Sequence, residues 1–322
     1  MNSRSRSLTP DGCVRGLNPR PIYRGRFAPS PSGPLHLGSL VTAVASYLEA
    51  KSRDGEWLVR IENLDPSREV PGSSNGILKT LETLGMEWDG EVIYQNKRNK
   101  AYQTALALLE ERRLTYPCIC SRKEIADSSI AGIEGPIYPG TCRNSFLHKD
   151  LSAWRIKTND NLIEFEDALR GRFRHLMESD IGDFVLRRAD GIFAYQLAVV
   201  VDDAEQGITH IVRGEDLLNS TPRQIYLQRL LGYQTPMYMH LPVVVNARGE
   251  KLSKQTHAAP VANSDAVSQL IMAIRFLGQT PPKELKEGDV TSLWDWIIKN
   301  WKPETIPLTP RSCQQLLNFS QM

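Results

Sequence analysis

The sequence predicts an α/β protein with a parallel sheet, an inserted module and a small helical C-terminal appendage. Strand-like apolar runs alternate with helix-like segments in the first third of the chain, which is the pattern of a parallel sheet with crossover helices. After residue 117, cysteines and Pro/Gly turns replace that periodicity, which indicates an insertion. The pattern becomes helical again in residues 256–322.

The first elements follow from spacing and boundary residues. The run IYRGRFA predicts the first strand, and apolar residues at helical spacing from Leu37 onward predict the first helix. EWLVRIEN predicts the second strand. A helix capped by Ser73 or Ser74 should end at Gly85, and another should span about 97–113.

The second half of the chain returns to strands. The stretch DFVLRRADGIFAYQLAVVVDD has strand character with a hairpin signal at Asp190-Gly191, and ITHIVRG predicts a further strand. Ser220 should cap a helix with Pro222 in its first turn. An apolar strand and a turn precede the basic loop KLSKQ, and DAVSQLIMAIRFLG and SLWDWIIKNW predict the last helices.

Composition excludes several classes of protein. The chain has 322 residues, with 39 Lys+Arg against 37 Asp+Glu, so a charge of +2 neither requires nor excludes a nucleic-acid partner. No apolar run is long enough for a membrane helix, and the Ser/Arg-rich residues 1–21 lack the apolar core of a secretory signal. A flexible tail on a cytoplasmic protein is expected there, with a transit peptide as the alternative. Five cysteines favour a reducing compartment.

The stretch RFAPSPSGPLHLGS predicts an anion site between the first strand and the first helix. Unpaired N–H groups and the helix dipole favour phosphate at a helix N-terminus. Gly38 would let a phosphate or a ring approach the backbone, and His36 could donate to a phosphoryl oxygen. The alternative is an ordinary strand-to-helix turn in which the histidine only packs.

A second basic motif, KLSK, lies far downstream and changes the interpretation of the loop. HLGS followed by KLSK resembles the HIGH and KMSKS signatures of class I aminoacyl-tRNA synthetases. The resemblance implies a class I synthetase Rossmann-type domain that adenylates an amino acid with ATP and Mg²⁺. It also implies the catalytic set, which is His36, Gly38, Lys251, Ser253 and Lys254.

Adenylation requires no enzyme nucleophile. The amino-acid carboxylate attacks the α-phosphorus of ATP and pyrophosphate leaves, so catalysis consists of positioning and charge neutralisation. By the resemblance, His36, Gly38 and Lys254 bind ATP, and Lys254 neutralises the leaving pyrophosphate. Two motif positions depart from the family pattern, with Ser39 for the final His of HIGH and Gln255 for the final Ser of KMSKS.

One branch of the family matches more of the chain. RFAPSPSGPLHLG, LVRIENLDPSRE, FAYQLAVVVDDAEQGITHIVRGEDLLNSTPRQ and KLSK look like glutamyl-tRNA synthetase over roughly 22–256. The resemblance implies an L-glutamate pocket made of Arg26, Phe27, Ala28, Pro29, Ser30, Glu62, Tyr195 and Arg213.

The chemistry of these residue types agrees with a glutamate pocket. Arg26 and Arg213 can bind carboxylates, and Glu62, at the carboxyl end of the second strand, can accept from an ammonium group. An ordinary surface ion pair between Arg213 and Glu62 is the alternative. Asn63 and Val199 depart from the family pattern, and Val199 replaces an Asn that helps to hold glutamate, so lower glutamate affinity is expected.

A cysteine cluster predicts a metal site in the insertion. Cys118, Cys120, Tyr138 and Cys142 offer three thiolates and a phenol oxygen, a set that could close a tetrahedral zinc site. The alternative is three reduced cysteines in a Pro/Gly-rich loop. The pattern resembles the zinc site of the acceptor-end insert of this family, which implies one structural zinc ion.

The short C-terminus bears on the acceptor. A full glutamyl-tRNA synthetase has a further large helical domain that reads the anticodon, and residues 256–322 are too few for it. The chain therefore resembles a truncated branch that transfers glutamate to queuosine, the wobble base in the anticodon loop of tRNA-Asp. Exposed loop bases are what proteins read in RNA. The alternatives are a minimal glutamyl-tRNA synthetase, an adenylyltransferase that needs no RNA, and a non-catalytic RNA-binding protein.

The expected organisation places each predicted feature in its own segment. The segments are 1–21, a flexible tail; 22–116, the first half of the nucleotide-binding domain; 117–179, the zinc-binding module; 180–245, the second half of that domain; and 246–322, the KLSKQ loop with the helical appendage and no anticodon-binding domain.

Overall fold

The structure is a computed structural model of the α/β class. It describes residues 22–133, 135–145, 152–246, 248–252, 261 and 265–312. Within these ranges, no helix combines the length and the apolar character that are needed to cross a membrane.

The described residues contain eight α-helices. They are α1 (Leu37–Lys51), α2 (Ser73–Thr83), α3 (Asn99–Glu111), α4 (Arg122–Ser128), α5 (Tyr195–Glu205), α6 (Thr221–Leu231), α7 (Ala266–Phe276) and α8 (Val290–Asn300).

Fourteen strands lie in the same part of the chain. They are β1 (Arg24–Phe27), β2 (Glu56–Ile61), β3 (Ile93–Tyr94), β4 (Thr115–Cys118), β5 (Ala131–Gly132), β6 (Gly135–Pro136), β7 (Ala153–Ile156), β8 (Leu162–Asp167), β9 (Gly171–Leu176), β10 (Val185–Arg187), β11 (His210–Gly214), β12 (Met237–Leu241), β13 (Val244–Val245) and β14 (Arg311–Ser312).

Two groups of parallel strands form the centre of the fold. β1, β2 and β3 are parallel neighbours, and β11, β12 and β8 form a second parallel set that the antiparallel β9 extends. The N–H of Thr209 donates to the carbonyl of Arg24 at 2.9 Å, so β11 begins beside β1. The carboxyl ends of β1, β2, β11 and β12 therefore face one edge, where ligands bind in α/β sheets.

The C-terminal helices pack onto the first helix of the sheet domain. α7 and α8 both contact α1, and their apolar residues share one core with β1, β2 and α2. Trp301 Nε1 donates to Glu49 Oε1 at 2.7 Å, and Trp294 Nε1 donates to the Leu84 carbonyl at 2.8 Å. These helices therefore cover the outer face of the domain's first half.

The predicted insertion contains two different parts. β4, β7 and β10 form an antiparallel sheet, and Cys118 at the end of β4 joins Cys120 and Cys142 in a small separate cluster. The β8–β9 hairpin instead joins the second set of parallel strands, since Asp167 pairs in register with Tyr238 of β12. The insertion is thereby anchored directly to the parallel strands.

One predicted strand region is a helix. The strand prediction for AYQLAVVVDD is wrong, because residues from Tyr195 to Glu205 form α5. Every side chain from Leu197 to Asp203 is buried, so this run has no polar face that would reveal a helical period. α5 packs against α3 and α6, and that packing outweighs the strand propensity of its three consecutive valines.

The cap of α2 also differs from the prediction. Gly72, at φ 79°, is the N-cap residue, and Ser73 is the first residue of the helix. The Ser73 hydroxyl donates to the Gly33 carbonyl at 2.7 Å and accepts from the Gly33 N–H at 3.0 Å. Ser73 therefore fastens the proline-rich loop to α2 instead of capping that helix.

Candidate active site

A cleft of about 670 Å³ opens at the carboxyl edge of the parallel strands. It lies where β1, β2 and β11 end, which is the ligand edge of an α/β sheet. The structure brings together in its lining all the predicted glutamate and nucleotide residues that it describes. These are Arg26, Phe27, Ala28, Pro29, Ser30, His36, Gly38, Glu62, Tyr195, Arg213 and Lys251.

The proline-rich loop is held open by backbone hydrogen bonds to its neighbours. The Pro29 carbonyl accepts from the Glu62 N–H at 3.0 Å, and the Pro31 carbonyl accepts from the Val70 N–H at 2.9 Å. Proline has no N–H of its own, so these carbonyls form the bonds that order the loop. The loop thereby forms a fixed wall between the end of β1 and the start of α1.

His36 caps the helix that points into the cleft. Its Nδ1 accepts from the Ser39 N–H at 3.4 Å, and its extended backbone makes it the N-cap residue of α1. A Cβ on Gly38 would lie 3.1 Å from the His36 ring and 3.7 Å from the Leu252 carbonyl oxygen. The missing side chain therefore leaves room for the His36 ring at the helix end, whereas the contact with Leu252 would tolerate a Cβ.

The second motif begins at the rim of the same cleft. Lys251 bridges to Val245, and its Nζ forms an exposed ion pair with Asp216 at 2.6 Å. The remaining predicted residues of the motif, Ser253 and Lys254, lie outside the described residues.

A buried charge network supports the floor of the cleft. Arg26 Nε donates to Asp203 Oδ1 at 3.1 Å, and Arg60 Nη1 donates to the same oxygen at 2.7 Å. Burial alone would raise the pKa of Asp203, but the two guanidinium groups hold it below its ordinary value. Arg26 therefore already has a carboxylate partner before any ligand binds.

Glu62 and Tyr195 add polar groups of a different character. Glu62 Oε1 accepts from Arg60 Nη2 at 3.2 Å, and burial raises the pKa of the Glu62 carboxyl although Arg60 and Arg26 oppose that rise. Burial also raises the pKa of Tyr195, so its hydroxyl remains a neutral donor. Glu62 thus adds a carboxyl group and Tyr195 adds a phenol beside the arginines of the cleft.

Arg213 is the exception among the buried arginines of the site. It is 3% exposed, and its guanidinium donates to the side chains of His240 at 2.9 Å, Gln224 at 2.8 Å and Thr221 at 2.8 Å. These acceptors carry no negative charge. Among the described residues, no carboxylate lies within 4.0 Å of Arg213. Within the described residues, Arg213 therefore has no direct carboxylate partner, unlike Arg26 and Arg60.

The two departures from the family pattern lie in different surroundings. Asn63 lines the cleft, and its Oδ1 accepts from the Asn96 N–H at 3.1 Å. Val199 is 1% exposed and packs in the apolar core around α5, away from the described cleft lining.

The cysteine cluster converges as the spacing predicts. The Sγ atoms of Cys118, Cys120 and Cys142 lie within 4.8 Å of one another, and all three cysteines are free. Tyr138 Oη lies 3.4 Å from the sulfurs of Cys118 and Cys120 and accepts from the Cys142 N–H at 2.8 Å. The three thiols therefore lie close enough together to hold one ion, with the Tyr138 phenol beside them, and cysteine sulfurs suit zinc.

Several residues that shape the site were missed from the sequence. Arg60 and Asp203 form the floor network, and His240 contacts Arg213. Arg60 carried a signal, because a charged residue within the apolar run WLVRI must find a buried partner if the run is a strand. Nothing in the local sequence identifies which distant carboxylate or imidazole supplies that partner.

Comparison with known proteins shows the family. A family model described as tRNA synthetases class I (E and Q), catalytic domain, matches residues 23–286. A glutamyl-Q tRNA(Asp) synthetase of Dechloromonas aromatica is 55% identical over 288 residues, which cover 88% of this chain and 96% of the relative. The protein of that name from Chromobacterium violaceum is 53% identical, over 90% of this chain and 97% of the relative.

Solved structures agree on the fold. A glutamate tRNA ligase from Elizabethkingia meningosepticum, in complex with its amino acid, superposes with a TM-score of 0.77 at 26% identity. The match covers 94% of this chain and 69% of the ligase. A Mycobacterium tuberculosis methionyl-tRNA synthetase, with a TM-score of 0.54 at 11% identity, shares the fold alone. The class I synthetase α/β fold that the sequence predicts is confirmed.

Proposed function

The chain belongs to the class I tRNA synthetases of the glutamate and glutamine family, and on that premise we propose that it activates L-glutamate with ATP and transfers it to queuosine. The acceptor is the wobble base in the anticodon loop of tRNA-Asp. The names of the most similar relatives support this assignment, and those relatives match this chain over nearly their whole length. The reaction forms glutamyl-AMP and then a glutamyl ester.

The observation that carries the glutamate assignment is that no carboxylate of the described residues contacts Arg213 directly. Removing a cation from water costs several kcal/mol unless an anion compensates it. Arg26 and Arg60 are compensated by Asp203, whereas Arg213 has only neutral acceptors. A carboxylate of glutamate would supply the missing charge, with Glu62 and Tyr195 nearby in the cleft lining to bind the ammonium group and a further oxygen.

The activation step follows from the arrangement of the cleft. The α-carboxylate of bound glutamate attacks the α-phosphorus of ATP, a P–O bond breaks, and pyrophosphate leaves. The N-terminal N–H groups of α1, beside His36 and Gly38, bind phosphate oxygens, and Lys254 neutralises the leaving group. Mg²⁺ that enters with ATP would add positive charge to the same phosphates.

The transfer step uses a hydroxyl as its nucleophile. A hydroxyl of the queuosine cyclopentenediol attacks the carbonyl carbon of glutamyl-AMP, an ester bond forms, and AMP leaves with the bonding electron pair. The hydroxyl proton passes to the departing phosphate or to solvent. For this step we assign to the protein the alignment of the two reactants.

Zinc in the insertion completes the proposal. Cys118, Cys120, Cys142 and Tyr138 would hold one ion, and this ion would stabilise a module whose own apolar cluster is small. We assign it a structural role, because these residues lie outside the lining of the cleft. The module around them, within 117–179, is proposed to help position the RNA.

Glutamate-dependent exchange of labelled pyrophosphate into ATP tests the activation step. The exchange should occur with L-glutamate in the absence of RNA. It should fall at least tenfold with glutamine or aspartate, because neither has a side-chain carboxylate at the same distance from its α-carboxylate. Exchange that is equally fast with several amino acids would contradict the glutamate assignment.

A further inference from the structure

A line of three buried side chains runs from the cleft into the sheet. We infer that His240 is a positioning residue, whose Nε2 accepts from Arg213 Nε and so fixes the guanidinium in the orientation that receives the glutamate carboxylate. Asp167 orients His240 from the other side. The inference rests on the proposed function, because it assigns a role in glutamate binding to residues behind the pocket.

Three neighbouring parallel strands supply the three residues. Arg213 of β11 and His240 of β12 are register partners, so their side chains stand on the same face of the sheet. Asp167 ends β8, which pairs with β12 at Tyr238. Arg213, His240 and Asp167 are 3%, 0% and 2% exposed. The sheet itself therefore sets the distances along the line.

Asp167 determines which nitrogen of His240 carries the proton. Its Oδ2 lies 2.6 Å from His240 Nδ1, while its Oδ1 accepts from the N–H groups of Leu169 at 3.1 Å, Arg170 at 2.9 Å and His240 at 3.2 Å. Burial opposes ionisation, but the contacts with His240 and these N–H groups hold the pKa of Asp167 below its ordinary value. The carboxylate accepts only, so Nδ1 must donate.

The other nitrogen of the imidazole is then an acceptor. Burial, aided by the neighbouring Arg213, lowers the pKa of His240 to about 4, so the ring is neutral near pH 7. A neutral ring with a proton on Nδ1 presents a lone pair at Nε2. That lone pair faces Arg213 Nε at 2.9 Å, and a guanidinium nitrogen only donates.

The remaining bonds leave one N–H group for a ligand. Nη1 of Arg213 donates to Gln224 at 2.8 Å, and Nη2 donates to Thr221 at 2.8 Å and to the Leu217 carbonyl at 3.3 Å. With the bond to His240, four of the five N–H groups have acceptors within the described structure, and the fifth belongs to Nη1. Because Arg213 lines the cleft, this orientation presents Nη1 to a bound carboxylate.

His240 variants separate the positioning role from simple packing. His240→Gln keeps an acceptor oxygen near the position of Nε2, whereas His240→Leu fills the space without one. We expect His240→Leu to raise the KM for glutamate in pyrophosphate exchange at least tenfold, or about 1.4 kcal/mol, and His240→Gln by less than about threefold. The KM for ATP should stay within about twofold in both. The control is His210→Gln, which replaces a partly buried histidine on the same sheet.

Asp167→Asn tests the orientation independently. The amide can donate to Nδ1, which moves the ring proton to Nε2 and places two donors face to face at Arg213. This variant should also raise the KM for glutamate about tenfold and leave the KM for ATP unchanged. If His240→Leu does not fold, Asp167→Asn decides the question.

The outcomes distinguish the inference from the function on which it rests. Equal glutamate KM values in wild type, His240→Gln, His240→Leu and Asp167→Asn would overturn the inference and leave glutamate activation intact. Parallel increases in the KM for glutamate and for ATP would also overturn it, because they would indicate general damage. Wild-type protein without glutamate-dependent exchange would instead contradict the proposed function.

Discussion

Arg26 and Asp203 form an ion pair at 3.1 Å with both side chains almost completely buried. The pair compensates the charge of one arginine of the cleft. Arg213 lines the same cleft and has no such partner among the residues that the structure describes. We therefore propose different roles for the two arginines, in which Arg26 supports the pocket and Arg213 binds the substrate anion.

Replacing Arg213 should affect glutamate binding first. Arg213→Gln removes the cation, and we expect the KM for glutamate to rise at least 100-fold, about 2.7 kcal/mol, with a small change in the KM for ATP. Pyrophosphate exchange measures both constants. Arg172→Gln is the control, because Arg172 is largely exposed and its ion pair with Glu164 contributes little. An unchanged KM for glutamate in Arg213→Gln would remove Arg213 from the pocket.

Gly38 should be required for ATP binding more than for stability. Gly38→Ala places a Cβ 3.1 Å from the His36 ring, so the imidazole must shift at the end of α1. We expect the KM for ATP to rise about tenfold and the free energy of unfolding to change by less than about 1 kcal/mol. Gly76→Ala in α2, where a Cβ meets no atom within 4 Å, should leave the KM for ATP unchanged. Equal effects of the two variants would contradict this role.

Loss of zinc should impair the transfer of glutamate to RNA more than it impairs the activation of glutamate. Cys120→Ser removes one of the three thiols, and metal analysis should find less than half of the wild-type zinc content. Transfer of glutamate to RNA should fall at least tenfold while pyrophosphate exchange stays within about threefold. The control is Cys313→Ser, which removes a cysteine that is far in the sequence from the cluster and should leave the zinc content unchanged. Absence of zinc from wild-type protein purified without chelators would contradict the proposed zinc site.

Stability should depend on pH through His240. The pKa of His240 is near 4 in the folded protein, whereas an unfolded histidine titrates near 6.5. Protonation therefore favours the unfolded state between these two pH values. Because of His240, the free energy of unfolding should fall by about 2 kcal/mol between pH 7.5 and pH 5. Urea denaturation of wild type and His240→Gln at both pH values measures it. The loss should be about 2 kcal/mol smaller in the variant, and equal losses would show that His240 is charged when folded.

The sequence locates the residues that line the cleft better than it locates the residues behind them. Arg26, Glu62 and Arg213 stand at strand ends that the alternating pattern locates, and the structure places all three around one cleft. α5 was predicted as strand because its buried run of valines has no polar face. The bond between Arg213 and His240 depends on strand register between residues 27 positions apart in the sequence, and no local pattern encodes that pairing.

Transfer of labelled glutamate to two forms of tRNA-Asp tests whether queuosine is the group that accepts the glutamate. The protein is incubated with ATP, labelled L-glutamate and tRNA-Asp that either contains queuosine or lacks it, and nuclease fragments are then separated. We expect label only on the queuosine-containing tRNA, and only on its anticodon fragment. Equal labelling of the two forms, or label on the 3′-terminal fragment, would contradict it.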